Sequence, residues 1–461
     1  MLGLLAASAF FVRLENFKNT ELRSIDEIVY YRMAKQVYAE GLSGYNTIPY
    51  GKELAAQGRE LPDYFFEPLF KHPPVFTLLM VGMFHLIQPS FFVAGSLSIL
   101  LSSLMIILVY WLGVMIADRR AGMFAAILLW MDPIVIMSSQ KIWMDTTIAF
   151  FTLLSVCFFV WALKEKRDIG FLLSGWCTGM AVNTKYTGIL IVLVYGLHAI
   201  LYEKELLKNR FFWMGIALPF ILLIPWFMWN ASVYAGDIIG TQGELRDLIL
   251  SLKRHAMLGI GLLLGAAAGT VMFLKMRKNK TRRIAKEVNG DYSQLVRYSY
   301  IFVGLLIAIL LSENIKHSLS PFYIPTNSWQ LGFFRGELPT FYFGRLLEYS
   351  FLYVFAYFVL LAYSPEEEPL RPVVRLSALV ILAFFIVWGN YQSRYVLSAV
   401  PFLLILATEL IVGLYDRIKN IPNLPLRALI KACLVLLVVY SFYKTMFINL
   451  FLSFPNDVCY F

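Results

Sequence analysis

Residues 23–36 read RSIDEIVYYRMAKQ and residues 69–76 read LFKHPPVF, and the polar stretch they bracket lies between two runs of membrane-grade hydrophobicity. The segment sets an acidic pair, Asp26 and Glu27, and a basic pair, Lys71 and His72, in one loop beside the bilayer. Charge next to lipid is costly and by default marks a site. With both signs present, such a loop can hold a base for one substrate and a phosphate clamp for another.

The rest of the composition agrees with a membrane setting. Of 461 residues, 59% are hydrophobic and only 15% charged, against about 25% charged in soluble domains. The net charge of +10 resides in short loops between apolar runs. That is the positive-inside pattern, and it argues against nucleic acid as a partner. Cys157, Cys177, Cys433 and Cys459 show neither a disulfide framework nor zinc-ligand spacing, and no HExxH occurs. The first apolar run lacks a basic leader and a cleavage site, so no cleavable signal peptide is expected.

Placing the Lys/Arg-rich loops in the cytoplasm fixes the topology. These loops are Asp118–Arg120, Lys164–Arg167, Glu203–Arg210, Lys275–Lys286, Arg371–Arg375 and Asp416–Lys419. Residues 74–88 are short for a span, and a crossing there would carry Arg119 and Arg120 outside. They are therefore read as an interfacial or re-entrant helix, with the whole of 19–90 external.

The spans then fall near 91–117, 121–140, 146–163, 169–183, 186–201, 211–230, 257–274, 297–312, 343–363, 373–389, 396–415 and 427–450. With the first helix there are about thirteen, the N-terminus inside and the C-terminus outside. The expected fold is an all-α polytopic membrane protein, one transmembrane module over 1–461 without a separate soluble domain. Further external loops fall near 231–256, 313–342 and 390–395. Only Met1–Val12 precede Arg13. Either Leu14–Phe17 complete the first helix with Arg13 buried, or residues are missing before the start.

Several side chains on the predicted outer face can carry chemistry, each with a plainer explanation beside it. On a helix Asp26, Tyr30 and Ala34 share a face, so Asp26 and Tyr30 can point into one cavity. An acidic helix start with Asp as the cap accounts for the same residues structurally. Lys71 and His72 precede Pro73-Pro74, which suits the first turn of a helix, with the lysine snorkelling. Asp145 opens a helix, with Lys141 one turn earlier as a candidate ion-pair partner. Lys185-Tyr186 and Arg394-Tyr395 complete the set. Jointly they supply acids for a base or metal and cations for a phosphate, all on one face.

In these motifs the chain resembles the GT-C membrane glycosyltransferases, especially bacterial relatives of protein O-mannosyltransferases and lipid A aminoarabinose transferases. The resemblance lies in Asp26-Glu27 followed by Tyr30, the Lys71–Pro74 element and Asp145 before the fourth helix. Thr184–Gly188 (TKYTG) and Arg394-Tyr395 followed by Pro401 extend it. The first half carries most of the specificity. The external loops are too short for the lectin-like domain of eukaryotic protein mannosyltransferases, and the run at 275–286 has no counterpart.

The resemblance implies a GT-C fold and transfer of a sugar from a polyprenyl-phosphate donor to a hydroxyl acceptor (protein, lipid or glycan) outside the cytoplasmic membrane, with inversion. Asp26 then serves as general base, with Glu27 and Asp145 as the other catalytic acids. Lys71, His72, Lys185, Tyr186, Arg394 and Tyr395 would hold the donor and its leaving phosphate, and Tyr30 would line the cavity. Glu27 and Asp145 are also candidate ligands for a divalent metal (Mg, Mn or Zn), a cofactor left open because relatives differ in metal use. Rival classes are a polymerase or ligase using lipid-pyrophosphate donors and a secondary transporter. The transporter is disfavoured because its sites lie near the midplane.

Overall fold

The computed structural model describes residues 1–18, 24–236, 289–321, 323, 340–361, 370–388 and 392–452. The expected span 257–274, the basic run at 275–286, Cys459 and most of the loops near 231–256 and 313–342 lie outside them. Among the described residues the regular structure is helical throughout.

Helix α1 (Leu2–Lys18) runs past Arg13 without interruption. Arg13 is only 2% exposed, and its guanidinium donates to the Ser102 hydroxyl and the Trp130 carbonyl, each at 2.9 Å. Both partners are needed, since a buried charge is tolerated only when hydrogen-bonded. The polar segment then folds into α2 (Ile25–Glu40), α3 (Ile48–Ala56) and α4 (Val75–Leu86). At 12 residues α4 is about 18 Å long, too short for a ~30 Å hydrocarbon core. It packs against α2 and against α5 (Phe91–Ile116).

The expected span 121–140 is broken. It forms α6 (Arg119–Met131) and α7 (Pro133–Ser139), bent by 55°. Proline suits the first turn of a new helix, and Asp132 caps that turn by accepting from the Ile134 and Val135 amides. The Tyr353 hydroxyl donates to the same Asp132 carboxylate at 2.7 Å and ties the break to a later helix.

Next come α8 (Met144–Glu165), the short α9 (Ile169–Val182) and α10 (Leu190–Leu201), then α11 (Arg210–Val233). Helices α9 and α11 touch through glycines, and a Cβ on Gly175 would lie 2.2 Å from the Gly215 carbonyl oxygen. Small residues allow this backbone approach between membrane helices.

After residue 288 come α12 (Asn289–Leu310) and α13 (Ser312–Leu319), bent by 80° over the range that includes residues 298–319. The expected span 343–363 is likewise two helices, α14 (Phe341–Tyr349) and α15 (Tyr353–Leu361). Helix α14 holds polar cargo, with Glu348 accepting from Asn314 on α13 and pairing with Arg345, so it does not continue as one apolar rod. The chain ends with α16 (Arg371–Trp388), a 3-10 turn (Ser393–Ser398), α17 (Val400–Ile418) and α18 (Leu424–Leu452).

By length and apolarity, five described helices can cross a membrane, or seven if each bent pair is one span. The expected count of about thirteen is not reached on that criterion. That criterion leaves out short apolar helices such as α9 and α10, and the expected span 257–274 lies outside the described residues.

Candidate active site

Helix α2 begins with a reciprocal cap. The Ser24 hydroxyl accepts from the Glu27 amide, and Glu27 Oε2 accepts from the Ser24 amide at 2.9 Å. The N-cap is therefore Ser24, and Asp26 is released from the capping role that the sequence had allowed it. Glu27 is completely buried. Its Oε1 accepts from the Ile142 amide at 3.3 Å, and its Oε2 lies 3.7 Å from Lys141 Nζ. So Lys141 pairs with Glu27 rather than with Asp145, and Glu27 ties the first loop to the segment just before α8.

One residue earlier on the helix, Asp26 points outward with its side chain 51% exposed. Arg394, from the turn before α17, reaches it with Nη1 and Nη2 both 3.2 Å from Oδ2. The guanidinium lies 4.3 Å over the Trp143 ring, and its Nε donates to Gln392 Oε1 at 2.7 Å. The same Nε is 4.0 Å from Asp145 Oδ2, while Lys185 Nζ is 3.8 Å from Asp145 Oδ1. Lys185 also stands 4.6 Å over the ring of Tyr395, which stacks on Phe385. The result is a continuous chain, Asp26–Arg394–Asp145–Lys185–Tyr395, assembled from α2, α8, the end of α9 and the turn before α17. Burial works against the Arg394 charge, but Asp145 and Asp26 outweigh it and hold the guanidinium pKa above its ordinary value.

The basic pair of the first loop is split. Lys71 sits 4.1 Å over the Tyr64 ring. Burial pushes the Tyr64 phenol up to about 12, with the charge of Asp26 adding to the rise, so Lys71 flanks Asp26 through Tyr64. His72 is buried against Phe70, and its carbonyl accepts from the Tyr45 hydroxyl at 2.8 Å. It does not present its ring at the surface, as the phosphate-clamp expectation had it. Tyr30 is buried edge-on to Phe70 and Phe76 on the face of α2 that packs inward. Tyr186 faces α11, accepting from Trp226 Nε1 at 2.7 Å.

The two candidate metal ligands, Glu27 and Asp145, already have other partners. Glu27 is occupied by two amides, a hydroxyl and a lysine, and Asp145 lies between two cations. Hard cations need several free oxygen ligands. Among the described residues no three of His, Cys, Asp and Glu gather as such a set.

Sequence reasoning missed Trp143, Tyr64 and Gln392. Trp143 stands two residues before Asp145, and a Trp at a membrane interface was the available signal. Tyr64 and Gln392 carry no comparable mark.

No curated protein sequence matches the chain. Solved structures do. ArnT from Cupriavidus metallidurans bound to undecaprenyl phosphate superposes with a TM-score of 0.52 at 13% identity, covering 98% of this chain and 75% of that one. The archaeal oligosaccharyltransferase AglB from Archaeoglobus fulgidus, in complex with an inhibitory peptide and a dolichol-phosphate, gives 0.56 at 15% identity. That match covers 98% of this chain and 56% of AglB. Both are GT-C proteins, and the fold here is theirs. The family model described as dolichyl-phosphate-mannose-protein mannosyltransferase matches residues 3–236, which contain Asp26, Glu27, Lys71, Asp145 and Lys185. The chain belongs to that family and is a membrane glycosyltransferase of the GT-C type.

Proposed function

We propose that the protein transfers a sugar from a polyprenyl-phosphate carrier to a hydroxyl acceptor on the outer face of the cytoplasmic membrane, without a metal. The observation that carries this reading is the pairing of one half-exposed carboxylate, Asp26, with a guanidinium that also belongs to a buried cationic array. ArnT with bound undecaprenyl phosphate and AglB with dolichol-phosphate support the donor class.

Asp26 accepts the proton of the acceptor hydroxyl as that oxygen bonds to the anomeric carbon. The bond from that carbon to the phosphate oxygen breaks, and its electron pair leaves with the lipid phosphate. Arg394 and Lys185 balance the charge, which removes the need for a strong acid. Direct displacement inverts the anomeric centre. Arg394 is paired with Asp26. A donor phosphate competes for the guanidinium and leaves Asp26 free to take a proton, so donor binding arms the base. Glu27 is a positioning residue, and Asp145 holds the two cations in register. Lys71 meets the phosphate from the first loop.

Analysis of the lipid that co-purifies with the protein tests the donor class. A polyprenyl chain carrying a sugar through one phosphate supports the reading. A pyrophosphate-linked oligosaccharide would instead make the protein a polymerase or ligase.

A further inference from the structure

The far end of the bundle holds a second feature that sugar transfer does not use. Helix α17 runs 19 residues, about 28 Å, from the turn carrying Arg394 to the region of Asp416. There α6, α17 and α18 border an open apolar cleft of about 230 Å³, lined by Phe124, Ile411, Leu434 and Val438. Val435 and Val439 line it from the outward flank of α18 and are 46% and 57% exposed, so the cleft opens sideways towards lipid. A dry cavity of about 150 Å³ accepts a benzene ring, so this cleft has room for a stretch of acyl chain.

Its polar edge is cationic. Arg120 and Tyr415 belong to the cleft wall, and Lys431 and Lys419 stand 4.8 and 5.0 Å over the Tyr415 ring. Arg427 donates to the Lys419 carbonyl at 3.3 Å, which holds it at the same rim. Arg120 pairs with Asp118 and Asp416, and Lys419 pairs with Asp416, but Arg427 and Lys431 remain as a positive surplus at this rim. Such a surplus at a membrane surface draws anionic headgroups. Along this stretch α18 is largely exposed, with Leu429 62% and Leu436 65% exposed, so a lipid in this slot would bridge it to α6 and α17.

We propose that this is a binding site for an anionic diacyl phospholipid. One acyl chain lies in the slot between α6, α17 and α18, and the headgroup phosphate meets Arg427 and Lys431. The slot and the cationic rim are both required, because a zwitterionic lipid of the same chains would leave the surplus charge unanswered. The site is independent of Asp26 and of the donor, since it lies at the other end of α17.

The test uses the full-length protein in detergent, with lipid retention read by native mass spectrometry and by the thermal unfolding midpoint. Phosphatidylglycerol should be retained about tenfold more strongly than phosphatidylcholine of the same chains and should raise the midpoint. Arg427→Gln with Lys431→Gln should bring phosphatidylglycerol down to the phosphatidylcholine level while the lipid-free midpoint stays put. Val435→Phe, which fills the slot, should weaken both lipids. Equal retention of the two lipids would overturn the proposal. So would undiminished phosphatidylglycerol binding in the double variant, or its displacement from the site by polyprenyl phosphate.

Discussion

Arg394 and Asp26, 368 residues apart in sequence, meet through two hydrogen bonds of 3.2 Å to a single carboxylate oxygen. The contact joins the first polar segment to the turn before α17, and it sets acid against cation where the two halves of the chain converge. A guanidinium can make this fork while its carbon sits 4.3 Å over the Trp143 ring, which a lysine ammonium cannot do. Arg394→Lys should keep the charge and lose the geometry. We expect kcat/KM for the lipid-phosphate donor to fall by about 10²-fold, the scale of losing one preorganised donor to a developing negative charge. Wild-type donor kinetics in Arg394→Lys would show that the cation acts only as a point charge.

Glu27 and Asp26 are neighbours with opposite sensitivities. Replacing Glu27 by Ala strips the partly buried Lys141 of its carboxylate and leaves the Ser24 and Ile142 amides without their acceptor. The loss should be about 3 kcal/mol of stability, seen as a clear drop in unfolding midpoint. Glu27→Gln retains an acceptor and should fall in between. An unchanged midpoint in Glu27→Ala would mean that the carboxylate does not anchor α2.

The absence of metal chemistry from the proposal is tested by chelation. With Glu27 and Asp145 already engaged by cations, EDTA should leave transfer unchanged, as should added magnesium, manganese or zinc. Loss of turnover on chelation, recovered with one of these ions, would require a ligand set other than the one assembled around Asp26.

The orientation is tested by impermeant thiol labelling in a background with Cys433 and Cys459 replaced by Ser. A cysteine at exposed Glu60 should react from outside, and one at exposed Asn420 should not. Reaction at Asn420 alone would invert the topology.

Much of this architecture is legible in hydropathy. Helices α5, α8, α11, α16 and α18 appear as long apolar runs. Breaks are less legible. Pro133 is visible in the sequence, but that Asp132 would cap a new helix and bind Tyr353, 221 residues away, is a tertiary matter. The candidate residues around Asp26 were readable as charges beside lipid. Their partnering was not. Lys141 looked like the partner of Asp145 because it is near in sequence, yet Glu27 takes Lys141 and the distant Lys185 takes Asp145. His72 shows the same limit, since a basic residue beside a loop's end gives no sign that its ring is packed under Phe70.

The central claim is that Asp26 is the base, and one substitution addresses it most directly. Asp26→Asn keeps the shape of the side chain but cannot take a proton at neutral pH. The half-exposed position and the separate Ser24–Glu27 cap mean that folding does not depend on its charge. The variant and the wild type would be purified in detergent and compared in unfolding midpoint and in retention of radiolabelled polyprenyl-phosphate sugars. Transfer from the retained sugar to acceptors in a membrane extract would then be timed. The account predicts an unchanged midpoint, donor retention at least equal to wild type, and transfer slowed by 10²-fold or more. Near-normal transfer by Asp26→Asn, with the protein folded and the donor bound, would contradict it.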